Sequence, residues 1–379
     1  MALLDNIDPE GLFEYSVVFT DRSLNHMSKK FQDVMNSLSS NLKDVYKAND
    51  VALVPGGGTF GMEAIARQFA NDQTVLVVRN GWFSFRWNQI LEKGKITSDI
   101  TVLQATQTFD NIQAPFMPAP LDEIVKTIES KKPSVVFAPH VETSAGIIIP
   151  DDYLRAISTA CHQYGGIFVL DCVASGAAWV DMASTGVDVL LSAPQKGWSA
   201  SPCAGVVLFS ERAVNRMDET ESSSFSCDLK KWFDIMKAYE KNGHAYHTTM
   251  PTDALVKFEK NVLETKDFGF KNATDNQVYI GKEIRSLLEN RGFKSVAGEG
   301  FKASSVIVSY TEDENFQNGK IFAENGLQIA AGVPLECGEG KDFKTFRLGL
   351  FGLEKLQNPD RTISKFKDKT TLLKTLMLV

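Results

Sequence analysis

Between about residue 50 and residue 210 the chain repeats one pattern, in which a strand-length run of Val, Leu and Ile is followed by a turn and an amphipathic stretch. The clearest runs fall at 51–54, 74–78, 134–138, 167–170, 187–191 and 205–209. Near-continuous apolar content of this kind implies burial on both faces, as in a mostly parallel sheet covered by helices. Stretches 121–130 and 153–164, with apolar residues three and four apart, read as intervening helices. The expected fold class is α/β, and ligands of such sheets lie outside the carboxyl ends of the strands. From about Asp253 the texture changes to helix, a strand at 304–309, a helix-like stretch at 316–324 and a strand at 345–348. We expect an N-terminal segment and large domain over 1–252 and a smaller C-terminal α+β domain over 253–379. The polar stretch 218–250, amphipathic around 229–239, reads as a contributor to an interface.

Composition removes several function classes. With 379 residues, 43% hydrophobic and 23% charged, the chain can bury a sizeable core, and its net charge of −7 argues against nucleic-acid or anionic-membrane partners. The acidic start, Met1 to Glu10, does not read as a signal peptide, and no apolar run reaches the roughly 18 residues of a membrane span. A cytoplasmic protein is expected. Five cysteines without a CxxC pair suggest neither a disulfide framework nor a metal site.

Chemistry enters at the strand ends. Ile167-Phe-Val-Leu-Asp171 closes a buried run on a carboxylate, and twenty-five residues later Ser192-Ala-Pro-Gln-Lys-Gly197 places Lys196 in a short turn. A lysine amine can hold pyridoxal 5′-phosphate as a Schiff base, while a carboxylate at the pyridine nitrogen keeps it protonated and makes the ring an electron sink. In Pro55-Gly-Gly-Gly-Thr-Phe-Gly-Met-Glu-Ala64, three glycines precede a helix, which suits either a phosphate cradle or a flexible turn. Walker and Gly-x-Gly-x-x-Gly patterns fail on spacing. Asn80-Gly-Trp-Phe-Ser-Phe-Arg-Trp87 follows a strand and presents aromatic rings that either stack on a pyridine ring or plug the gap between sheet and helix; at least two of Trp82, Phe83, Phe85 and Trp87 are expected to plug. His140-Val-Glu-Thr-Ser-Ala-Gly146 brings hydroxyls to another strand end.

In this order, over roughly residues 25–355, these segments resemble the class V aminotransferases of fold type I, most closely the alanine-glyoxylate and serine-glyoxylate group. The resemblance implies a phosphate cradle at Gly57, Gly58 and Thr59, a stacking ring at Phe83 with Ser84 where Gly is usual, and a hydroxyl contact from Thr143. It maps a Val-Asp-x-Val-x-Ser motif onto Leu170-Asp171-Cys172-Val173-Ala174-Ser175 and a Ser-x-x-Gln-Lys motif onto Ser192 to Lys196, adding Val173 and Gln195 to the cofactor set. Tyr246-His-Thr-Thr-Met-Pro251 resembles the run that reaches across a dimer interface, which would assign Tyr246 and Thr249 to the partner's phosphate and make the active unit a homodimer. Phe346-Arg347-Leu-Gly349 resembles the Arg-x-Gly motif that holds the substrate carboxylate; a structural arginine is the other reading of Arg347. Lys196 would be both the attachment point and the general base. The implied reaction is transamination between an alanine- or serine-type donor and glyoxylate or pyruvate.

The N-terminal part departs from the family. His26-Met-Ser-Lys-Lys-Phe31 matches a His-Arg-Ser-x-x-Phe motif, but no Gly-Pro-rich segment precedes it and Tyr15 to Arg22 stands there instead. Arg22 either meets a second anionic group, which would favour a 2-aminoethylphosphonate-type donor, or is an exposed residue in a helix-capping Asp21-Arg22 pair. Cys337, ten residues before Arg347, leaves a desulfurase-like lyase as a minor alternative, although Gln195 stands where that group has His. A non-catalytic module on the same scaffold would have to explain why Asp171, Lys196 and Arg347 are all present.

Overall fold

The computed structural model describes residues 5–371. Among them a seven-stranded sheet runs in the order Asp50–Pro55, Ala204–Phe209, Val189–Ser192, Ile167–Asp171, Val135–Pro139, Val75–Arg79, Ile100–Gln104. The Ala204–Phe209 strand alone runs opposite to the other six. The interior strands are buried at almost every position, as their unbroken Val, Leu and Ile content requires. Each buried Val, Leu or Phe contributes about 1.5–3 kcal/mol relative to exposure. The edge strand Ile100–Gln104 is only half buried along its whole length, which is why its mixed composition gave no strand signal.

Register sets the site. Asp171 lies opposite Pro139 on one side and Leu191 on the other, so the loops that follow those residues leave the sheet flanking its carboxylate. The sheet is covered by helices that include Lys29–Tyr46, Leu121–Lys131 and Asp151–Gln163. Ser28 caps the first, its hydroxyl accepting from Phe31 N–H at 3.1 Å, while Asp21 accepts from Glu14 N–H; the capping role considered for Asp21-Arg22 belongs to Ser28.

The Leu229–Glu240 helix turns Leu229, Trp232, Phe233, Ile235, Met236 and Tyr239 into the large core. The amphipathic part of the 218–250 stretch thus faces the core, while Phe225 and Tyr246 on either side of it stay exposed. The Thr252–Phe268 helix also buries Leu255, Phe258 and Val262 in that core, and a second core joins Ala177 to residues from Ala273 onward. The second core packs on the antiparallel strands Val306–Tyr310, Thr345–Gly349 and Ala330–Ala331. The helix-like stretch 316–324 is two short helices, Glu314–Gln317 and Lys320–Glu324, separated at Gly319, whose φ of 80° suits glycine. A third cluster joins Val141, Ala145 and Ile147 to Val306 and Val308, fixing the Thr143 loop between the two parts.

Candidate active site

Five segments meet at the carboxyl edge around a cavity of about 280 Å³. Of the residues singled out in the sequence, Gly58, Thr59, Phe83, Thr143, Asp171, Val173, Gln195 and Lys196 line it, and Gly57 is the N-cap beside Gly58. A larger cleft of about 1090 Å³ lies between the N-terminal segment and the first helix, and none of these site residues lines it. Chemistry, not size, selects the smaller cavity.

Asp171 is 9% exposed, and one hydrogen bond reaches its carboxylate among the described residues, from Val173 N–H to Oδ1 at 2.9 Å. Burial pushes its pKa up to about 6; the Val173 bond, Arg86 and Lys196 pull the other way. A carboxylate so placed has acceptor capacity left for a cation in the cavity. Burial depresses the Lys196 amine, and Arg347 and Arg86 add to the shift. A depressed lysine carries more of the neutral, nucleophilic form. Its turn is anchored by Trp198, which is buried and lies 4.6 Å from the Trp179 ring, and by Tyr46, whose hydroxyl donates to Ser192 Oγ at 3.2 Å. Gln195 Oε1 is buried without a partner among the described residues.

The Asn80–Trp87 segment opens the Trp82–Lys93 helix. Glu142, fully buried, accepts from Phe83 N–H at 3.2 Å, Ser84 N–H at 2.9 Å, Ser84 Oγ at 2.7 Å, Ser144 N–H at 3.0 Å and Ser144 Oγ at 2.7 Å. It thereby satisfies first-turn donors that a helix leaves open and supplies the negative charge favoured there. Ser84 Oγ also accepts from Asn80 and Gly81 N–H, so the departure from glycine at 84 is a working part of the turn. Trp87 alone of the four aromatics is fully buried, lying 4.3 Å from Phe137; Trp82, Phe83 and Phe85 are partly buried. Phe83 faces the cavity, with the Arg86 guanidinium 4.8 Å and that of Arg347 5.4 Å from its ring centre.

The glycine-rich turn has a different end. Gly56 has φ of 120°, and a side chain there would strike the Phe60 ring. A Cβ on Gly58 would approach Val173 Cγ2 to 2.9 Å, so Val173 packs directly under the loop. The Gly58–Phe69 helix that follows has Gly57 as N-cap and no side-chain cap.

Arg347 sits in the Thr345–Gly349 strand between Val308 and Ala330, donates Nε to Ala331 O at 2.8 Å, and extends toward Lys196. Tyr246 is more than half exposed, 3.4 Å from Thr249, and neither lines the chain's own cavity. Arg22 is exposed and does not line it either. Cys337 is buried and burial pushes its thiol up to about 12, so it lacks the thiolate and the access that a desulfurase nucleophile needs. Sequence reading did not assign roles to Arg86, which lines the cavity, or to Ser84 and Glu142; all three stand in the motif segments, and only the fold shows what they touch.

Fold and cavity together define an α/β enzyme with a lysine and a buried carboxylate at adjacent strand ends. The aminotransferase class-V family model matches residues 10–339, and the chain belongs to that family of pyridoxal-phosphate-dependent transaminases. The alanine–glyoxylate aminotransferase of Rattus norvegicus is 22% identical over 358 residues, covering 92% of this chain and 82% of its own. The 2-aminoethylphosphonate–pyruvate transaminase of Bacillus mycoides is 26% identical over 326 residues, covering 85% and 84%. A solved alanine–glyoxylate aminotransferase from Nostoc sp. superposes with a TM-score of 0.74 at 20% identity, covering 91% of this chain and 88% of that one.

The residues present fit the cofactor on physical grounds. An amine of depressed basicity, a buried carboxylate with spare acceptor capacity, a partly buried aromatic ring and a helix start without a side-chain cap converge on one cavity.

Proposed function

We propose that this chain transaminates a small amino acid of the alanine or serine type with glyoxylate or pyruvate as acceptor, using pyridoxal phosphate held by Lys196. The observation that carries the reading is the placement of Lys196 and Asp171 in one cavity with Arg347 beside it. When bound, the cofactor supplies an electron sink for the pair released at the donor's α-carbon. Asp171 would keep the ring nitrogen protonated, Phe83 would stack on the ring, and Thr143 would donate its hydroxyl to the ring oxygen. Gly57, Gly58 and Thr59 would receive the phosphate, with Val173 and Gln195 closing the pocket around it. Arg347 would pair its planar fork with the α-carboxylate and so orient the bond to be broken. Lys196, once displaced by the donor, would move the proton between the α-carbon and the cofactor's C4′.

The names of the relatives support small donors and small 2-oxo acids. Exposed Tyr246, Phe225, Tyr15 and Val17 support a homodimer in which Tyr246 and Thr249 complete the partner's phosphate site. No helix among the described residues is long and apolar enough to cross a membrane, and the five cysteines are free thiols, which supports a cytoplasmic setting. Half-reactions of the yellow enzyme with a panel of amino donors test the assignment. Bleaching of the visible band by alanine or serine, with recovery on adding glyoxylate or pyruvate, is expected. Bleaching by 2-aminoethylphosphonate alone would replace it with the aminophosphonate reading.

A further inference from the structure

We propose that Arg86 binds the phosphate of the cofactor at the amino end of the Gly58–Phe69 helix, in concert with Thr59. The inference rests on the reading of the cavity as a pyridoxal phosphate site and assigns a residue outside the expected cradle. Arg86 lines the cavity, and its Nη1 donates to Thr59 Oγ1 at 3.3 Å. Thr59 is the second residue of a helix whose start has no side-chain cap. A guanidinium parked there is anomalous, because the amino end of a helix already carries positive partial charge and repels cations. Among the described residues Arg86 has no carboxylate within ion-pairing distance to offset this, and an arginine that is only partly buried could extend into water instead.

Two features hold it in place. Its guanidinium lies 4.8 Å from the centre of the Phe83 ring, one helical turn earlier on the same face. The neighbouring helix start, from which Arg86 itself departs, is already neutralised by Glu142. The positive charge left over is thus concentrated at the helix start beside Thr59 and at Arg86 and Lys196, with Asp171 the carboxylate among the cavity-lining residues. A dianionic phosphate monoester meets that demand, since Arg offers a planar fork to two of its oxygens while the helix start offers N–H groups to the others. The same chemistry would accept a second acidic group on a substrate. The contact with Thr59, at the helix start and away from Arg347, favours the cofactor.

The test compares binding of pyridoxal 5′-phosphate with that of pyridoxal, which lacks the phosphate, by titrating cofactor-free dimer and following the visible band. Arg86→Met should weaken the phosphorylated form about 10- to 100-fold, as expected for a lost charged hydrogen bond. Pyridoxal should bind the variant and the wild type equally. Arg86→Lys, which keeps a charge and guards against a folding defect in the first variant, should recover part of the loss for the phosphorylated form only. Equal weakening of both ligands would overturn the proposal and make Arg86 a support for the Phe83 ring. Unchanged affinity for both, with a raised KM confined to donors bearing a second acidic group, would move the anion from cofactor to substrate and overturn it as well. If the wild type developed no band with either ligand, the cavity reading itself would fall, a result distinct from either failure at Arg86.

Discussion

The Trp82–Lys93 and Gly58–Phe69 helices both start at the cavity, yet the first receives a carboxylate from the protein and the second receives none. Glu142 gives the first helix a permanent counter-charge with five hydrogen bonds, which fixes Phe83 and the Thr143–Ser144 loop in one arrangement. The second start is left open, floored by Val173 and faced by Arg86. An internal anion builds rigidity, whereas an unfilled helix start reserves its donors for a ligand. On the proposed reading, the two ends together would hold Phe83 firmly beside a helix start whose donors are free to receive the cofactor's phosphate.

Removing the built-in anion should have the largest effect. Glu142→Ala leaves three backbone N–H groups and two hydroxyls without their shared acceptor in a buried site, and should cost about 3–5 kcal/mol in urea denaturation. Glu142→Gln retains an acceptor and should cost less. A loss below about 1 kcal/mol for Glu142→Ala would break the contrast between the two helix starts.

Asp171 comes next. Asp171→Asn should lower turnover about 10²-fold, because an amide cannot stabilise a protonated ring nitrogen. Cofactor-free protein should show the opposite trend in stability. The carboxyl is raised to about 6 in the fold, so the folded state holds a proton that the unfolded chain releases near pH 4. That contribution is fully present below about pH 4 and is lost as pH rises through about 6. Above pH 6, Asp171→Asn should therefore be more stable than wild type by about 1–3 kcal/mol, a gap that closes in acid. A turnover within a fewfold of wild type would remove Asp171 from the ring nitrogen.

The smallest effect is expected at Ser84. Ser84→Ala removes one hydroxyl that donates to Glu142 and accepts from Asn80 and Gly81, and should cost about 1 kcal/mol while leaving the cofactor spectrum intact. A spectral change would show that Ser84 controls the Phe83 ring as well as the turn.

Much of this was legible in the chain because its strands are buried on both faces. Ile167-Phe-Val-Leu-Asp171 is a strand over its full length, and Asp171 stands at its end where the run predicts. The Ile100–Gln104 strand escaped notice because an edge strand is only half buried. The Glu142–Ser84 contact could not be read at all, since it joins residues 58 apart that meet only when the Val135–Pro139 and Val75–Arg79 strands pair. Arg86 was visible as a motif residue, yet its place beside Thr59 depends on how two helices leave the same edge. Which way the apolar side of 229–239 faces could not be read either, since sequence cannot tell a core-facing stripe from an interface, and the fold turns it into the core.

The most direct test is borohydride reduction of the enzyme loaded with pyridoxal phosphate, followed by mapping of the labelled peptide. A single stable adduct on the peptide containing Lys196, absent in Lys196→Ala, is the predicted result. A label on another lysine, or none on a cofactor-saturated protein, would contradict the assignment of this cavity.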